Sequence, residues 1–164
     1  MEKKKKETVL SILKEIRDAL KKPEIVIASA PRQINDRYTD NGNGTITDKE
    51  LKITIIKDPT ALPGFEKTMT WTDAKAACEK LIFAGSTGWR MPTLKEEQSI
   101  RDYTRHDPAW DTDIFAGKHD NWYWASTECA WNKDAAWCVY SYSGNVSSIV
   151  KGSRNYVRPV RSSQ

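Results

Sequence analysis

Cysteine is scarce in this chain: three residues in 164, an odd number and too few for a disulfide framework. Cys78, Cys129 and Cys138 fit a chain whose thiols stay free. No Cys-x-x-Cys pair occurs and no Cys or His stands at metal-ligand spacing, which excludes zinc ribbons and dithiol redox centres. A Gly-rich phosphate loop and an activated-serine motif are also missing. No apolar run approaches the roughly 20 residues that span a bilayer. The apolar fraction is a modest 38 %, which predicts a loop-rich domain rather than a large apolar bundle.

Charge is unevenly placed. Residues 1–22 hold eight Lys/Arg against four Asp/Glu, and the remainder of the chain carries eighteen of each sign. The net charge of +4 therefore belongs to the leader, so the basic balance gives no footprint for a nucleic-acid-binding domain. Lys14, Glu15, Arg17 and Asp18 interrupt any apolar core of a secretion signal. The chain reads as cytoplasmic, or as exported by a route the sequence does not display.

Aromatic residues are plentiful: seven Trp, six Tyr and three Phe. Val9, Ile12, Leu13, Ile16, Ala19 and Leu20 repeat at helical spacing and stop before Pro23, which predicts a short amphipathic helix. Glu24–Ala30 reads as a linker strand. Arg37–Asp40 and Thr45–Asp48 flank Asn41-Gly42-Asn43-Gly44, a strong hairpin signal. The same stretch imitates a calcium loop, but Thr39 replaces its first carboxylate and the flanks are strand-like, so a metal-free hairpin is the expectation. Thr70 opens a second helix with the stripe Trp71, Ala74, Ala77, Cys78 and Leu81. Thr93-Leu94-Lys95-Glu96 is a full capping box and opens a third helix, expected to reach about Tyr103. Residues 104–121, polar, rich in Asp and holding Pro108, read as a long surface loop. Their His106 and His119, beside Asp107, Asp111, Asp113 and Asp120, read as solvated loop residues in preference to a metal or proton-transfer set.

From Trp122 onward the pattern is short strands broken by Gly144 and Gly152. Around Trp137 it alternates. Trp137 and Val139 share one face; Cys138, Tyr140 and Tyr142 share the other. The first face is expected to anchor the core. The second, with small polar groups and an Arg nearby, has the composition of a recognition surface. Trp122 and Trp124 are expected in the core, and Trp131 at the surface.

Together TWTDAKAACEKLIFAGSTGWRMPTLKEEQSI (residues 70–100), the tail NWYWASTE…AWCVYSYSGNV…YVRPVR and the upstream RYTDNGNGTITD resemble the Lcl C-terminal-domain family, over roughly residues 36–162. The resemblance implies an α+β, C-type-lectin-like fold with two helices and a small antiparallel sheet, here preceded by the N-terminal helix. It divides the chain into 1–30, a basic helix and linker strand, and 31–164, a ligand-binding domain. The tail resembles more closely the variable proteins of diversity-generating retroelements. Their fixed positions fall here on Tyr123, Trp124, Ser126, Thr127, Ala136, Trp137, Val139, Gly144, Val146 and Tyr156 to Pro159, with Arg161. Their variable positions fall on Cys129, Asn132, Asp134, Cys138, Tyr140, Tyr142, Ser143, Ser147, Ser148, Ile149, Val150, Ser153 and Arg154. Two departures stand out. Pro159 occupies a position where many relatives have a Cys, so Cys78 is expected as a buried thiol without a partner. Ser141 replaces a larger apolar residue. The Glu-Pro-Asn, Gln-Pro-Asp and Trp-Asn-Asp triplets of calcium-dependent lectins are missing.

The resulting expectation is a non-catalytic binding protein with no cofactor and no metal, whose partner is an unidentified protein. Self-association through the N-terminal helix is a further partner, and neither nucleic acid nor a membrane span is expected. Two alternatives stand beside it: a glycan-binding adhesin, and an enzyme related to formylglycine-generating enzymes, which share the fold and depend on reactive cysteines. Cys129 and Cys138 are expected as free thiols.

Overall fold

The computed structural model describes residues 29–163. The helix expected within residues 1–22 and nearly all of the Glu24–Ala30 strand lie outside the described residues.

Among the described residues, eight strands and two α-helices follow in the order β1 (Arg32–Gln33), β2 (Tyr38–Asp40), β3 (Thr45–Asp48), β4 (Ile53–Ile56), α1 (Trp71–Lys80), α2 (Leu94–Ser99), β5 (Trp122–Cys129), β6 (Asn132–Tyr140), β7 (Val146–Val150) and β8 (Val160–Ser162). They form two antiparallel sheets rather than the single small sheet expected. One has the order β1-β2-β3-β4-β8, the other β5-β6-β7. The predicted hairpin is β2–β3, with Thr39 opposite Thr47 and Asp40 opposite Ile46.

Local chemistry sets the helix starts. Thr70 accepts from the Asp73 amide at 3.3 Å, and Thr93 and Glu96 complete the predicted capping box. Helix α1 buries Trp71, Ala74 and Cys78 of its expected stripe, while Ala77 and Leu81, the latter its C-cap, are half-buried against the same cluster. Helix α2 stops at Ser99, a turn before Tyr103, because Arg101 turns its guanidinium inward onto the buried Glu97 and Asp102 bonds back to the Ala109 carbonyl.

Two apolar clusters make the core. One joins Trp71, Ala74 and Cys78 of α1 to Trp89, Trp124, Ala136 and Cys138. The other joins Ile46, Ile53, Ile55 and Val160 to Trp110, Ile114, Phe115 and Tyr123. Trp110 and Phe115 come from the segment read as surface loop, which is a correction. Ala109, Trp110, Ile114 and Phe115 are all buried. Their polar neighbours dominate the composition of the segment, but these four side chains are the apolar surface it contributes, and burying each large one removes on the order of 2 kcal/mol of exposure cost.

Residues 151–160 tie the sheets together. Tyr156 bridges to Tyr123, and Val160 bonds both ways with Arg90 while pairing with Ile55 of β4. Arg158 is fully buried and donates to the carbonyls of Ile56, Lys57 and Ala116 at 2.9, 2.6 and 2.7 Å. Trp110, Phe115 and Tyr123 surround its guanidinium. Gly117 is required here: it has φ 143°, and a β-carbon on it would lie 3.1 Å from Arg158 Nη2.

Candidate ligand-binding surface

The hairpin β5–β6 is the platform. Trp122 faces Tyr140, Tyr123 faces Val139 and Trp124 faces Cys138. Alternation therefore sends Trp124 and Cys138 toward α1, and Tyr123 toward the second cluster. Both sides of the hairpin are occupied. This corrects the expected division into an anchoring face and a presenting face. Cys138 is fully buried beside Trp124, on the supposed presenting side, while Trp137 is only half-buried; Val139 is buried as expected. Alternation holds within β6 as far as Tyr140; Tyr142 lies past the strand end, in the turn, where it no longer applies. The sequence pattern had no means of showing that a helix covers the side carrying Cys138.

A bulge between Trp124 and Glu128 fixes the platform laterally. There the Ala125 carbonyl accepts from Trp71 Nε1 at 2.9 Å, the Ser126 amide donates to the Pro92 carbonyl, and Thr127 Oγ1 accepts from the Leu94 amide. The first turns of both helices are thus bonded to one strand.

What remains exposed gathers at the two ends of the hairpin and along its edge. At one end Tyr140 stacks on Trp122, ring centroids 4.8 Å apart, and Tyr142 lies 6.2 Å from Tyr140. His106 meets Tyr142 edge-on at 5.9 Å. Tyr103, strongly exposed, donates its hydroxyl to the Gly144 carbonyl at 3.4 Å. Tyr140 also donates a hydrogen bond to Asp120, and this bond, which needs the phenol protonated, holds its pKa above the ordinary value. The backbone of the 104–109 segment pins this end: Asp107 donates to Tyr142 and Ala109 to Ser141. Ser141 is buried and accepts the Asn121 amide through its hydroxyl at 2.9 Å.

At the other end the turn Ala130–Trp131 exposes Trp131, which packs edge-on against Trp137 at 5.5 Å. Asn132 and Asp134 are exposed beside it. Strand β7 is the sheet's edge, carrying half-buried Ser147, Ser148 and Ile149 and exposed Val150. Ile149 also leans on the first core cluster. Ser153 and Arg154 follow, and Arg154 donates to the Thr68 carbonyl.

Of the thirteen expected surface positions, Cys129 and Cys138 are buried and leave the surface. All three thiols are free, and the strand register sets Cys129 opposite Asn132, not Cys138. Burial pushes the Cys138 and Cys78 thiols up to about 12. Ser143 is half-buried with its hydroxyl inside. The remaining ten reach solvent at least in part. The aromatic end also includes Tyr103, His106 and Trp122, beyond the positions expected from sequence. Nothing in local periodicity brings residues 103 and 106 to residue 142; only the backbone pairing of their loop does. His119 packs against Trp110 rather than any carboxylate set.

Two helices on two antiparallel sheets, closed by a last strand that returns to the first hairpins, define an α+β domain of the C-type-lectin-like kind. The chain belongs to the Lcl C-terminal domain family, whose model matches residues 40–161. No curated protein matches the chain at significant similarity.

Proposed function

We propose that this chain is a non-catalytic ligand-binding protein in which the last quarter carries interchangeable side chains on a fixed C-type-lectin-like frame, and that its ligand is a protein. The observation that carries the reading is the aromatic end of the hairpin. Tyr140, Tyr142, Tyr103 and His106 lie together on segments tied to each other by the Asp107–Tyr142 and Ala109–Ser141 backbone bonds, above a platform packed on both faces. Tyrosines on a stiff frame offer large contact area at low entropic cost, and a central one is worth on the order of 2 kcal/mol in a protein interface. The resemblance of the tail to variable proteins of diversity-generating retroelements supports the same division of labour. A Cys138 thiol raised to about 12 favours binding over thiolate catalysis.

Two experiments test the reading. A library randomised together at Asn132, Asp134, Tyr140, Tyr142, Ser147, Ser148, Ser153 and Arg154 is expected to keep melting temperatures close to the parent and to yield binders to protein targets. Widespread unfolding would refute the separation of frame and surface. In the genome, a near-repeat of the coding region for residues 123–161, differing at adenines and adjoining a reverse transcriptase gene, is expected; its absence removes the diversification claim. On a glycan array, saturable binding abolished by Tyr140→Ala would move the ligand class from protein to carbohydrate.

A further inference from the structure

On the side of the five-stranded sheet turned away from Ile46, Ile55 and Val160, the register aligns Thr47 of β3, Thr54 of β4 and Arg161 of β8 in one cross-strand row. Two rims stand over this row, Asn41 and Asn43 of the β2–β3 turn and Ala84 and Ser86 of the loop before Trp89. They enclose a cleft of about 260 Å³. The rims are fastened to each other. Gly44 has φ 82°, and the Phe83 ring sits so close that a β-carbon there would lie 2.9 Å from it. Phe83 and Ser86 exchange backbone bonds at 3.1 and 2.9 Å around Ala84, which holds φ 50°, a conformation non-glycine residues seldom adopt.

The chemistry of the lining is lopsided. Among the described residues, no carboxylate borders the cleft. Asn41 is spent internally on Thr45 and Thr47, at 2.8 and 3.1 Å. Asn43 uses its Oδ1 on Thr45 and so brings only its amide NH2 to a ligand. Arg161 pairs with no carboxylate among the described residues, and its Nε is buried without a hydrogen-bond partner. Trp89 lies under its guanidinium, 5.8 Å from centroid to carbon, a contact that leaves the edge of the fork free. One uncompensated guanidinium among neutral hydroxyls and amides fits a planar monoanion with polar neighbours. A dianion would call for a second cation.

We propose that this cleft is a binding site for a small hydroxy-carboxylate, with Arg161 taking the carboxylate as a fork and Asn43, Ser86 and Thr54 meeting its hydroxyls. None of its lining residues is among the thirteen positions proposed to vary, Arg161 being one of the fixed positions between them, so the two sites stand or fall separately. The test is an NMR titration of the full chain with glycerate, with glycerol and inorganic sulfate in parallel. Saturable shifts at the Arg161 Nε–H and the Asn43 side-chain amide are expected, with a Kd on the order of 1 mM, the range such a small ligand reaches. Glycerol should give none, and sulfate should bind more weakly than glycerate. Arg161→Gln should weaken glycerate at least roughly tenfold, as expected when one bidentate charged contact is lost. Arg161→Lys, which keeps the charge without the fork, should fall in between. The proposal is overturned if glycerate at roughly tenfold that concentration gives no saturable shift. An equal response to glycerol, tighter binding of sulfate, or undiminished glycerate binding by folded Arg161→Gln or Arg161→Lys would each overturn it as well.

Discussion

Replacing Arg158 by Met tests the frame at its centre. The side chain is fully buried and holds three backbone carbonyls from two separate segments, Ile56 and Lys57 at the end of β4 and Ala116 in the long connection. A hydrogen bond from a charged donor contributes about 1.5–3 kcal/mol, so the gross loss is roughly 4–9 kcal/mol. Two effects offset it. Methionine refills most of the volume, and the substitution removes a cation whose like charge bears on buried Arg101. Burying an ion is itself costly, and swaps of buried charge for apolar groups recover part of the loss. The balance is a destabilisation of about 3 kcal/mol, because all three buried carbonyls lose a charged donor and only that of Lys57 keeps another, the Ala116 amide. In urea, with a slope of about 2 kcal/mol per molar, the midpoint should fall by about 1.5 M with the slope unchanged. Arg158→Lys, one ammonium in place of a fork, should lose about 2 kcal/mol. A midpoint for Arg158→Met within about 0.3 M of the parent would refute the account of Arg158 as the tie between the β4 end and the 104–121 segment.

Tyr142→Ala should shift stability by less than about 0.5 kcal/mol, because the ring is exposed, whereas Trp124→Ala should cost about 3–5 kcal/mol in the same urea assay; equal costs would refute the division into frame and surface. The Glu96 carboxyl, despite partial burial, is held below its ordinary value of 4.5 by the Arg90 fork and the Thr93 amide. The folded state therefore binds this proton less readily than the unfolded chain, so its contribution is present above about pH 4.5 and is lost as pH falls through the lower folded value. Glu96→Gln should flatten the acid limb of a stability–pH curve, and an unaltered limb would contradict this. A thiol reagent at pH 8 should leave Cys78 and Cys138 unmodified on the minute scale and label all three cysteines once the chain is unfolded; fast labelling of Cys138 in the native state would instead favour the enzymatic alternative.

The elements that could be read in the sequence were those whose signals are short-range. The Asn-Gly hairpin, the Thr93–Glu96 capping box and the Trp71–Ala74–Cys78 stripe each depend on residues within about one or two turns of one another. The missed parts depend on distant ones. Trp110 and Phe115 sit among aspartates and become core only because Arg158, more than forty positions on, encloses them with Tyr123. Tyr103 and His106 join Tyr142 only through backbone bonds between their loop and the end of β6.

By itself the sequence determined the family, the starts of both helices, the first hairpin and the parity of the strand around Trp137, because alternation is a local property of extended backbone. Which parity meets solvent was decided by tertiary structure. A strand between two packed layers has no free side, so Cys138 went into the core and the exposed aromatics collected at the hairpin's ends, where the covering helices stop.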